Sequence, residues 1–237
     1  MSEQIIQDIQ DGKKLLAILD DSRKLSSLVA GMLSSNKTEL TMSAVRLIGG
    51  SLRFKLFHQL GRELNHYIQK GEIKANFCES PRDEASLYEL LKFIDEEAPD
   101  QERFRAMRSI FIVSLSQHTP ETDRTLAYEF FKIGRELDSG ELMVLKAAYD
   151  IYKGRTAVTE PFTHNLAVWH NNIAKQIGHN ISSLVDLHEN KLVDLKLIAE
   201  KRHSDRSGIG CHDTCRLTNF GQKFCEFITK YDAEIES

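Results

Sequence analysis

Between Ser80 and Glu141 the chain signals the start of a helix four times. Ser80-Pro81-Arg82-Asp83 supplies an N-cap hydroxyl, a proline at the first helical position and an acid at the third. Asp100 follows Ala98-Pro99 as the next cap, Thr119-Pro120 repeats the cap-and-proline start, and Asp138-Ser139-Gly140-Glu141 opens a fourth helix. Behind these signals lie apolar series at helical spacing: Leu87, Leu90, Leu91 and Ile94, then Phe104, Met107, Phe111 and Leu115. Leu126, Phe130, Ile133 and Leu137 continue the pattern, and so do Leu142, Leu145, Tyr149 and Tyr152. Consecutive helices with short joints pack as antiparallel neighbours. Only four prolines and thirteen glycines serve 237 residues, too few for a sandwich or barrel that turns after every short strand. The chain is predicted to be all-α.

Upstream, Ile5, Ile9, Leu16, Leu19, Leu25, Leu28 and Met32 recur at roughly helical spacing, and Ser34-Ser35-Asn36 reads as a break. Val45, Ile48, Leu52, Leu56, Leu60, Leu64 and Ile68 then form one stripe on a helix from about residue 41 to 70, ended by Gly71. Its polar side carries Arg46, Arg53, Lys55, Arg62 and Lys70 against Glu63 alone. Such a face is ordinarily a solvated surface; the sharper reading is docking to an anionic partner or a membrane surface, the latter disfavoured because core burial already accounts for the apolar stripe. Leu166, Trp169, Ile173 and Ile177 mark a further helix stopping at Gly178, with Trp169, the single tryptophan, as a core anchor.

Composition excludes several classes. With 41% hydrophobic and 28% charged residues the chain is neither disordered nor membrane-embedded. A formal net charge of −4 provides no global field to attract nucleic acid, so any such role needs a local basic patch. The acidic start MSEQIIQDIQ lacks the basic and apolar regions of a signal peptide, and no apolar run is long enough to span a bilayer. Four cysteines (Cys78, Cys211, Cys215, Cys225) do not make a disulfide framework in a chain this long. A cytoplasmic protein without a cofactor is expected. No nucleophile elbow or phosphate-binding glycine loop is present, and the pairs His164-Asn165, His170-Asn171 and His179-Asn180 read as surface residues and caps.

The C-terminal stretch from Asn180 to Tyr231 has a different pattern. Leu184, Leu187, Leu192 and Leu195 line a helix running into Leu197-Ile198; a polar run from Glu200 to Asp213 contains the turn Ser207-Gly208-Ile209-Gly210. Cys215-Arg216-Leu217-Thr218 then leads into a helix with Phe220, Phe224, Phe227 and Ile228. This order resembles winged-helix domains, whose recognition helix ends in a Leu-Ile strand that turns and returns as x-Leu-Thr-x-x-Gly, here Leu217-Thr218-Asn219-Phe220-Gly221. The resemblance covers about Asp138 to Tyr231 and implies a winged-helix-like module with one small β-hairpin, taken as residues 138–237; the helix series before it is read as a helical bundle over residues 1–137. The helix that would enter a DNA groove carries Asp186, Glu189 and Asp194 against Lys191 and Lys196, while the wing has Lys201, Arg202, His203 and Arg206 against Glu200 and Asp205. Acids on the groove helix repel phosphates. The module is therefore read as a protein-contact version of the fold, with DNA binding through Lys201, Arg202 and Arg206 as the alternative.

Two further constellations carry chemistry. His203, Cys211, His212 and Cys215, with Cys225 nearby, could supply zinc ligands, but Cys211 and Cys215 lie three residues apart rather than in a Cys-x-x-Cys pair. Inert cysteines are the favoured reading, with no metal. Arg53-Phe54-Lys55-Leu56-Phe57-His58 is similar to the arginine–histidine motif of the all-helical HEPN ribonucleases. The resemblance implies that Arg53 and His58 act at a scissile phosphate, usually in a dimer cleft. The chain departs from that pattern in having Phe54 where a polar residue is usual, and residues five apart on a helix point about 140° apart.

The helical platform, the segment from Glu136 to Ala147 and the Leu-Thr-x-x-Gly ending together resemble uncharacterised bacterial proteins grouped with abortive-infection alpha proteins. That likeness implies a bacterial or prophage setting and a link to phage defence, with no catalytic residues to carry over. The expected function is a non-catalytic protein-interaction or regulatory component, through a protein partner or self-association, with ribonuclease the only enzymatic alternative.

Overall fold

The computed structural model describes residues 52–77, 81–97, 99–156, 166–178, 182–200 and 216–231, the side chains of residues 52–54, 58, 166 and 167 excepted. Among them are eight α-helices and no strand. In chain order these are α1 (Leu52–Gln69), α2 (Pro81–Glu97), α3 (Gln101–Leu115), α4 (Glu121–Glu136), α5 (Ser139–Tyr152), α6 (Leu166–Gln176), α7 (Ser182–Asp194) and α8 (Asn219–Thr229). The chain is all-α, and none of these helices is long and apolar enough to cross a membrane.

Local chemistry sets the helix ends. The Asp100 carboxylate accepts from the Arg103 amide at 3.0 Å, satisfying one of the donors that a helix start leaves open. Asp138 and Glu141 form a reciprocal capping box at the start of α5, each side chain accepting from the other's backbone N–H (2.8 and 2.7 Å). At its far end α1 stops at Gly71, whose φ of +73° is a left-handed conformation that favours glycine.

The described residues fall into two compact units, 52–131 with Tyr231, and 132–230. In the first, α1, α2 and α3 pack on one another around Leu60, Leu64, Leu90, Phe93, Phe104 and Phe111. This core also holds an ion pair: Arg108 donates to Glu63 Oε1 at 2.7 Å, with side chains only 2% and 4% exposed. Gln59 donates to the same oxygen at 2.9 Å. Burial raises the Glu63 carboxyl above its ordinary pKa, partly offset by the Arg108 charge and the two hydrogen bonds. The Arg108 guanidinium reaches the Tyr231 carbonyl at 3.4 Å, and Tyr231 packs edge-on against Tyr67. Burying two opposite charges stabilises little by itself, but removing one partner is costly.

In the second unit α6 and α7 pack on each other and on α5, which also carries α8. Leu142, Leu145, Trp169, Ile173, Val185, Leu192, Phe224 and Ile228 form the core. The buried Cys225 thiol lies 3.8 Å from the Leu145 carbonyl. Gly140 lets the His188 ring lie against the first turn of α5; a Cβ there would sit 2.3 Å from the imidazole.

One expectation is corrected. The leucine series placed Leu187 on the inward side of α7, yet it is 67% exposed, and Val185, Glu189 and Leu192 are the buried residues. The helix is rotated by about one residue, some 100°, because its inward position at 189 is taken by an acid that the fold satisfies.

Candidate functional site

A buried polar cluster of the second unit is built round Glu189. Its positions follow from helix spacing: Val185, Glu189 and Leu192 share one face of α7, while α6 turns Trp169 inward and leaves His170 half-buried beside it. Glu189 is fully buried. Trp169 Nε1 donates to Oε1 at 2.5 Å, and His170 Nε2 lies 3.1 Å from Oε2. Arg216 donates through Nη1 to Oε1 and stacks its guanidinium over the Trp169 ring, 5.4 Å from the centroid. Both carboxylate oxygens are engaged, and the guanidinium matches the charge.

Arg216 also joins two chain segments. Through Nε and Nη2 it donates to the Ala199 carbonyl (3.2 and 2.6 Å), while the Ala199 amide donates to the Arg216 carbonyl at 2.7 Å. Ile198 and Leu217 pair as an isolated antiparallel bridge directly beside these bonds. Arg216 and Lys196 adopt left-handed backbone conformations, with φ of +53° and +61°, uncommon for non-glycine residues. The bridge, the Glu189 network and these two turns hold residues 196–199 against residues 216–218.

The Leu217-Thr218-x-x-Gly221 motif acquires a physical reason here. Thr218 is the N-cap of α8: its hydroxyl accepts from the Gly221 amide at 2.8 Å and lies 2.7 Å from the Lys196 carbonyl oxygen, to which it donates. Gly221 lets α8 pass directly over residue 197, since a Cβ would fall 1.9 Å from the Leu197 carbonyl oxygen. Leu217 is fully buried.

The sequence reasoning missed this cluster and counted Glu189 among the acids facing a DNA groove; that count is corrected. Asp194 and Lys196 are exposed and Asp186 is half-buried, whereas Lys191 donates to the Glu136 carbonyl. The available signal was an acid spaced four residues from Val185 and three from Leu192.

Arg53 and His58 stand five residues apart in α1, with side chains outside the described residues. Lys201, Arg202, His203, Arg206, Cys211, His212 and Cys215 also lie outside them. Among the described residues, two groups have ligand-type atoms close enough to share an ion: His170, Asp186 and Glu189, and Asp138, Glu141 and His188. In the first, Glu189 is already neutralised by Arg216. The second sits at the positive end of α5, where a cation is disfavoured and the capping box already uses one oxygen of each carboxylate.

What the fold and this cluster define is an all-α protein of two compact units, the second closed by a buried carboxylate–guanidinium lock. No protein-family model, curated protein or solved structure matches the chain.

Proposed function

We propose that the chain is a non-catalytic protein-interaction or regulatory component whose second unit is a winged-helix-like module used for protein contact. The observation that carries this reading is the outward face of α7. Leu187 stands 67% exposed near the middle of that helix, with Ser183, Asn190 and Asp194 also exposed, and the cation among them, Lys191, donates to the Glu136 carbonyl. Apolar and acidic groups at the position of a groove-reading helix oppose phosphate and suit a polypeptide. The Glu189 network supports the non-catalytic part, because its carboxylate is spent on Trp169, His170 and Arg216. The bacterial, phage-defence setting belongs to the same proposal and rests on the sequence resemblance alone.

Sedimentation velocity over a range of protein concentrations tests it. Reversible self-association that Leu187→Arg abolishes supports the reading. One observation favours the rival, DNA binding through Lys201, Arg202 and Arg206: burial of Glu189 removes one acid from the groove-facing count. A chain that stays monomeric, and shifts duplex DNA in a salt-sensitive way lost in Arg202→Ala/Arg206→Ala, would replace the proposal by that rival.

A further inference from the structure

The exposed face of α1 carries basic side chains and no acid. Lys55, Arg62 and His66, with Lys70 one residue past the helix end, are spaced by seven, four and four residues, so they fall on one side. All four are exposed, as is Lys74 in the turn that follows. The one acid of α1, Glu63, has left this face for the buried pair with Arg108, and Glu72 is half-buried in the turn. Among the described residues, no carboxylate lies within 4 Å of the charged nitrogens of Lys55, Arg62 or Lys74. The turn is held to the end of α3: the Gln117 side chain donates to the Gly71 carbonyl at 3.1 Å and its amide to the Glu72 carbonyl at 2.9 Å. The result is a row of positive charge about 22 Å long on a chain of net charge −4.

We infer that this face docks on the phosphate backbone of duplex DNA. An α-helix is about 10–12 Å across, which fits the B-form major groove of about 12 Å. Lysines and an arginine beside the exposed amide of Gln69 suit phosphate and sugar contacts without base selection. A-form RNA is disfavoured because its major groove is too narrow to admit a helix. Single strands call for aromatic platforms, and among the described residues no Phe, Tyr or Trp side chain of α1 is exposed. A membrane surface calls for an apolar face to insert, and the stripe of α1 (Leu56, Leu60, Leu64, Tyr67) is buried in the first unit's core. This inference concerns the first unit and stands apart from the reading of the second.

The test is fluorescence anisotropy of a labelled DNA duplex of mixed sequence, titrated with the full chain over a series of salt concentrations. Binding should be independent of sequence and fall with salt at a log–log slope of about −3 to −4, as for roughly four neutralised phosphates. Lys55→Glu/Arg62→Glu should weaken binding by at least about tenfold, and Lys55→Gln/Arg62→Gln by less; both should keep the wild-type circular dichroism and Trp169 fluorescence. The control Lys132→Glu/Lys175→Glu changes net charge equally at exposed positions elsewhere and should bind as wild type does. No binding by the wild type overturns the inference, and so does a loss in the control as large as in the α1 variants. Loss confined to Arg202→Ala/Arg206→Ala would also overturn it by assigning the DNA to the second unit. Tighter binding to an RNA duplex of the same sequence, or to phosphatidylserine vesicles with no binding to DNA, overturns it as well.

Discussion

Glu189 has exchanged water for three protein donors, and the exchange holds only while all three remain. Glu189→Ala leaves the Arg216 charge and the Trp169 N–H without their acceptor, at an expected cost of about 3–5 kcal/mol. Glu189→Gln keeps an acceptor in place and should cost less. Urea unfolding followed by the fluorescence of the single tryptophan measures both; a loss under about 1 kcal/mol in the alanine variant, the worth of an exposed pair, would show that the network carries no net stability. Glu63 poses the opposite problem, since burial raises its carboxyl despite the neighbouring guanidinium. A folded pKa above the unfolded one means that the folded chain binds the proton more tightly. The contribution of Glu63 is therefore fully present below its ordinary value near 4.5 and is lost as pH rises through the raised folded value. Relative to the non-titrating Glu63→Gln, wild-type stability should fall as pH rises above the ordinary value of 4.5. Urea midpoints showing a constant or widening advantage for the wild type would contradict this.

At the level of elements, the junction of residue 197 with α8 makes a prediction whose sign is informative. Glycine inside a helix normally costs about 1 kcal/mol relative to alanine, so Gly221→Ala on an open helix would raise the melting temperature. Here the added methyl meets the Leu197 carbonyl oxygen at 1.9 Å, a backbone atom with little room to move. The substitution should instead lower stability by about 1–3 kcal/mol, read as a lower thermal midpoint; an increase would mean that α8 sits off that carbonyl. The helix starts at Asp100 and Asp138 were legible in the sequence because a cap acts across three residues. The facing of α7 was not. Its leucines, 184, 187, 192 and 195, gave an apolar count that favoured one face, and the alternative required a buried acid whose partners lie 20 and 27 residues away.

For the whole molecule, average charge was the weaker guide. A net charge of −4 argues against a nucleic-acid partner, yet burial moves the one acid of α1 inside and leaves its outer face cationic. The all-α class was readable from caps, periodic apolar positions and the scarcity of proline and glycine, all of which act within a turn or two of the chain. Which charges face solvent is another matter. Glu63 is neutralised by a residue 45 positions along and Glu189 by one 27 positions along, separations that no local pattern encodes. Helix formation depends on near neighbours and could be read from order alone; the surfaces offered to partners depend on desolvated long-range pairs, which exist only once the helices have packed.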